Sequence, residues 1–275
     1  MSTETTTTAF PTPPWMVALS DPGEKFGYPS SAVLYGRTGT WKSSMAASMV
    51  KRSPDTRVLF LDAEKGSTSL INDDALTQAR HEGRLVVRTL PLDIPFADLD
   101  GILKDIATTD YGFDFTIIDP LNEVQKLAVQ HFETNTFNSS GKIDTRAAWG
   151  EIGKWTDDIV RSLHFASHTT PIFVLHEAEE TNAESGVTFI HPKLQGSMKK
   201  SLTSIVDVTA HLGWERIPDD ENDEVTLVAT LGKSPDFDAK NRFSRWLDDR
   251  MTDFSLLGLY EKLDVALKPK AVSVE

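Results

Sequence analysis

The sequence predicts an α/β protein: a mostly parallel central sheet flanked by helices, with an antiparallel extension. Three observations predict it. Short apolar runs alternate with stretches of helical periodicity between residues 30 and 177, the pattern of parallel strands joined by crossover helices. Several of those runs are apolar almost throughout rather than alternating, as strands covered on both faces should be. Two later runs, VTAHLGWERI (208–217) and EVTLVATLGK (224–233), flank the acidic turn PDDENDE and suggest an antiparallel pair.

SSAVLYG (30–36) is the first strand and runs into a glycine turn. Residues 42–51, KSSMAASMVK, read as a helix ended by SPD, since the residue before a proline is driven out of the helical region. RVLFLDAE (57–64) is a second strand ending in acids; residues 69–81 read as helical and RLVVRTL (84–90) as a strand. Phe96, Leu99, Ile102, Leu103 and Ile106 recur at helical spacing, and FDFTIIDP (113–120) follows as a strongly apolar strand. A longer helix spans roughly Thr145 to Ser167, with Trp149, Ile152, Trp155, Ile159 and Leu163 on one stripe. It delivers the chain to PIFVLHE (171–177), a further buried strand. There is no internal repeat. The Thr- and Pro-rich start reads as a disordered leader over 1–20, with one domain over 21–250 and a C-terminal helix and loose tail over 251–275.

Bulk properties narrow the classes. At 275 residues, 39% hydrophobic and 25% charged, the chain can bury one large core. No apolar run approaches the length of a membrane span, and the start has neither the basic nor the apolar region of a secretory signal. Zero cysteines exclude disulfides, thiolate metal sites and cysteine nucleophiles, and they fit a cytoplasmic setting. The net charge of −13 argues against a basic surface coat, so any nucleic-acid contact must be local.

GRTGTWKSS, residues 36–44, has the form of a phosphate-binding loop with a tryptophan where the second glycine is usual. Such a loop needs backbone N–H groups at a turn between strand and helix, and a lysine for the β/γ-phosphate oxygens. Gly36, Arg37, Thr38, Gly39, Thr40, Trp41, Lys42, Ser43 and Ser44 are therefore the candidate ATP-contacting residues, with the Ser43 hydroxyl a candidate Mg²⁺ ligand. Trp41 departs from the pattern at a point where glycine commonly supplies φ > 0 or close approach. Its side chain can still point away from the backbone amides.

Hydrolysis needs a carboxylate on Mg²⁺ and a group that positions water. Asp119, ending FDFTIID, suits the first role. The next residue is Pro120, so a glutamate directly after the aspartate is not available; Glu64, ending VLFLDAE, is the alternative, with Asp62 read as structural. FLDAE after the loop helix resembles the RecA-type P-loop ATPase core over roughly residues 28–245. That resemblance implies that Glu64 activates water and that a polar sensor ends the strand after the aspartate's. His176 of PIFVLHE stands there, where RecA-type recombinases and DnaB-type helicases usually carry glutamine. In this it resembles a group of phage-encoded minimal RecA-core ATPases associated with single-strand annealing. The resemblance further implies that Lys240 and Arg242 of AKNRF reach in trans to a neighbour's γ-phosphate in a ring or filament of identical subunits.

The same resemblance places single-stranded DNA on two mobile loops, here 131–146 and 178–200. The second gathers Lys193, Lys199 and Lys200 with Phe189 and His191 as DNA-binding candidates. Three functions remain open: a phage RecA-like ATPase for annealing, strand exchange or repair; a ring-helicase motor or DNA-processing enzyme on the same core; and a non-hydrolysing nucleotide-binding module.

Overall fold

The computed structural model describes residues 31–91, 93–183, 186–216 and 225–267. The expected leader, the acidic turn and the tail beyond residue 267 lie outside these residues.

Among the described residues ten strands build one sheet: β1 (Ala32–Gly36), β2 (Val58–Asp62), β3 (Leu85–Thr89), β4 (Phe115–Asp119), β5 (Thr170–Thr181), β6 (Thr188–Pro192), β7 (Val208–Arg216), β8 (Val225–Thr230), β9 (Lys240–Asn241) and β10 (Arg250–Thr252). Their order is β10-β8-β7-β1-β5-β4-β2-β3, with β6 paired to β5 and β9 to β7. The pairs among β1, β2, β3, β4 and β5 and the β1–β7 pair are parallel, whereas β8 and β10 form an antiparallel flank beyond β7. The predicted α/β sheet with its antiparallel extension is the observed one.

Seven helices cover it among the described residues: α1 (Lys42–Ala47), α2 (Asp74–His81), α3 (Phe96–Thr108), α4 (Leu121–Asn135), α5 (Thr145–Phe165), α6 (Met198–Ile205) and α7 (Leu256–Leu267). Alternate residues of β1 enter opposite cores: Ala32 and Leu34 pack with α1, α2 and α7, Val33 and Tyr35 with α3, α4, α5 and α6. This explains the unbroken apolar runs, because β1, β2 and β4 have no face left for water. Burying one such Leu or Phe contributes roughly 1.5–3 kcal/mol.

Two segments differ from expectation. Residues 131–135 complete α4, which the sequence reading did not anticipate, and only 136–144 form a loop, closed by a Phe137–Ile143 bridge. Among the described residues, much of the expected loop at 178–200 is instead paired strand, and its end opens α6. β5 runs on to Thr181 and β6 returns beside it, with the pairs Glu177–Pro192 to Thr181–Thr188. Ile190 is held further by backbone bonds to Asp236 and Asp238 and accepts the Tyr35 hydroxyl at 3.4 Å. Backbone pairing satisfied within the hairpin outweighs the polar composition that reads as a loop.

Candidate functional site

Four neighbouring parallel strands, β2, β4, β5 and β1, end at one edge of the sheet, and parallel registers align their last residues. Asp62 lies beside Asp119, and Gly36 beside His176. Residues 36 to 176 in sequence are thereby brought abreast.

The loop from Gly36 to Trp41 joins β1 to α1. At Gly36 a Cβ would meet the Leu212 carbonyl oxygen at 2.2 Å, so the close approach of β7 requires glycine. Gly39 takes φ 86 and Trp41 takes φ 57, ψ 23, immediately before α1. The left-handed backbone at Trp41 is the reason glycine is usual there. The Lys42 ammonium, 7% exposed, folds under the loop and donates to the carbonyls of Gly36 (2.9 Å) and Arg37 (2.7 Å) and to the Thr40 hydroxyl (3.2 Å). Burial pushes its pKa down, opposed by the carboxylates of Asp119, Glu177 and Glu64.

Asp119 is buried, and the Ser43 hydroxyl favours its ionised form. Burial raises its carboxyl to about 6; Asp62 and Glu64 add to the rise, and Ser43 and Lys42 oppose it. The Ser43 and Asp119 oxygens form a hard-donor pair whose chemistry fits Mg²⁺. Asp62 is structural: its oxygens accept the backbone N–H groups of Glu64, Gly66 and Ser67 at 3.0–3.1 Å. That turn projects Glu64 from the sheet edge, where its Oε1 lies 2.9 Å from His176 Nε2. The His176 backbone N–H donates to Asn122 Oδ1 (3.1 Å), a buried amide in the first turn of α4.

The remaining candidate residues lie around and beyond this group. Thr38 is exposed and Ser44 partly buried. Arg37 turns from the loop to the hairpin, pairing with Glu177 (2.9 Å) and Glu179 (3.0 Å). Lys193 is exposed, and its backbone N–H donates to the His176 carbonyl; the side chains of Lys199 and Lys200 lie outside the described residues. Lys240 and Arg242 do not join the site of their own chain. β9 pairs with Val208 and Thr209, abreast of Ala32 and Val33, at the edge opposite the loop. There Lys240 donates to the Ser204 and Val206 carbonyls (both 2.8 Å), while Arg242 pairs with Asp207 (2.8 Å) and reaches the Ser204 and Ile205 carbonyls. These cations cap the C-terminus of α6, which needs acceptor partners of that kind.

Sequence reasoning missed several neighbours. Asn122 lies on the unanticipated α4, although Leu121, Val124 and Ala128 had helical spacing. His211, whose pKa burial lowers despite its 3.0 Å contact with Glu177, stacks on Phe237. Trp214 donates its indole N–H to the Gly39 carbonyl (3.1 Å) and meets Trp41 edge-on at 5.0 Å. No local signal ties a strand of the antiparallel pair to the loop; only the β1–β7 pairing does.

A family model described as AAA domain matches residues 29–243. No curated protein sequence matches. Among solved structures, the chain is similar to the RadB recombinase, at 14% identity over 73% of this chain and 79% of that one, with a TM-score of 0.43. It is also similar to the flagellar accessory protein FlaH from Methanocaldococcus jannaschii, at 13% identity over 85% and 90%, TM-score 0.44. A type III secretion system ATPase of pathogenic bacteria matches at 14% identity over 70% of this chain and 54% of its own length, TM-score 0.41. No helix among the described residues is long and apolar enough to cross a membrane.

Proposed function

This chain belongs to the AAA domain family, and from that premise we propose that it hydrolyses ATP and acts on single-stranded DNA in phage recombination, annealing or repair. One observation carries the reading: Lys42, Ser43, Asp119 and the Glu64–His176 pair meet at one sheet edge. In this reading the loop amides and Lys42 grip the β- and γ-phosphates. Ser43 and Asp119 would hold Mg²⁺, which supplies charge neutralisation on the triphosphate when bound. Glu64 takes a proton from a water aligned on the γ-phosphorus; the water oxygen bonds to phosphorus and the bridging oxygen leaves with ADP. His176 holds the Glu64 carboxylate, and Asn122 holds His176.

The DNA part is supported by the hairpin that grows directly out of the sensor strand. It carries Phe189, with Lys193 following where the chain returns to His176; both are exposed, one suited to stacking and one to phosphate. Self-assembly into a ring or filament belongs to the same reading.

The test is ATP turnover with and without single-stranded DNA. Lys42→Ala should abolish hydrolysis, and Glu64→Gln should lower it by about 10²–10⁴ while ATP still binds. Unchanged turnover in Lys42→Ala would remove this site from consideration. Stimulation by the strand without duplex unwinding supports the annealing role; no stimulation sinks the DNA assignment.

A further inference from the structure

The strand order fixes the direction in which a nucleotide can lie. Glu64, Asp119 and His176 follow β2, β4 and β5, all on one side of the phosphate loop at β1. A triphosphate whose reacting end faces them must send its nucleoside toward the other side, over β7 and β8. On that side stand two exposed indoles, Trp41 (61% exposed) and Trp214 (41% exposed), in edge-on contact at 5.0 Å. Trp214 is anchored by its N–H bond to the Gly39 carbonyl, so the pair moves with the loop itself. Trp41 also occupies a left-handed backbone position that glycine takes without strain, so the bulky ring is not there for the fold's convenience. A large exposed aromatic corner bonded to a phosphate loop suits a flat, apolar, π-rich ligand.

We propose that Trp41 and Trp214 form the platform on which the nucleotide's base stacks. The proposal rests on the nucleotide-binding reading above and adds the base subsite to it. Stacking accepts any base face, so the platform supplies affinity with little choice among bases.

Calorimetric titration with Mg²⁺ present separates the two levels by using two probes, ADP and inorganic tripolyphosphate, which lacks a base. Wild-type protein should bind both. Trp41→Gly, which relieves the backbone, should lose about tenfold or more in ADP affinity while tripolyphosphate affinity is retained or improved. Trp214→Phe keeps a ring in place and should bind ADP more tightly than Trp214→Ala. ADP affinity unchanged in Trp41→Gly, or lost equally for both probes, overturns the platform while leaving the phosphate site standing. Failure of wild-type protein to bind tripolyphosphate overturns the site as well. An oligothymidylate that loses affinity in Trp41→Gly while ADP holds would assign the pair to the DNA strand and overturn the proposal.

Discussion

Asp119 shows how burial can set a single carboxyl against stability. Its carboxyl is raised to about 6, mainly because burial disfavours the ionised form. An unfolded aspartate titrates near 4, so between about pH 4 and pH 6 the folded chain binds the proton more tightly than the unfolded chain. The folded state therefore loses stability as pH rises through that window, and the ionised carboxylate costs on the order of 1–3 kcal/mol at pH 8. Asp119→Asn removes that charge and retains an acceptor for Ser43. Urea unfolding without magnesium should find the variant more stable than the parent at pH 8, with the difference gone near pH 4, while turnover is lost. A variant less stable at pH 8 would show that Ser43 and Lys42 outweigh desolvation. The surrounding residues were readable to different degrees. Lys42, Glu64, Asp119 and His176 each end an apolar strand or open the loop helix, so type and place could be seen together. Asn122 and His211 carry no such mark: neither ends an apolar run, and nothing local points to partners 54 and 34 positions away.

Among the elements, α6 shows what the AKNRF cations do within their own chain. AKNRF lies in the chain order expected of a charge aimed at a neighbour's phosphate, and within its own chain the two cations cap this helix. Sequence order carries no information about which end of the sheet a two-residue strand will join; pairing with Val208 and Thr209 decides it. Arg242→Ala should accordingly lower folding stability by about 0.5–1.5 kcal/mol, read as a shift in the urea midpoint. ADP affinity of the isolated subunit should stay at the parental value; a selective loss of turnover in the assembled protein, with the midpoint unmoved, would support the trans role. The same contrast separates the strands from the connections. Strands buried on both faces announced themselves by unbroken apolar runs. The β5–β6 hairpin did not, since its outer half is exposed and acidic and is held by backbone pairing that leaves no composition signature.

For the whole molecule, the net charge of −13 sets how any DNA can be held. A chain this acidic repels a polyanion at long range, so binding must come from a few local cations and from stacking rather than from a basic surface. Lys193, next to His176, and Lys199 and Lys200, on the next helix in sequence, are the cations that the DNA reading assigns. Each phosphate contact to a single strand contributes about 0.7 to the slope of log affinity against log salt. Three contacts per subunit then give a slope of about −2, shallow beside proteins that bind through broad basic faces. Fluorescence anisotropy of a labelled oligothymidylate across a salt series should return that value per bound subunit. Lys193→Ala should reduce the slope by about 0.7, whereas Phe189→Ala should weaken binding at every salt concentration and leave the slope alone. A slope several times steeper would place the strand on some other, more basic surface of the assembly, away from the hairpin that adjoins His176.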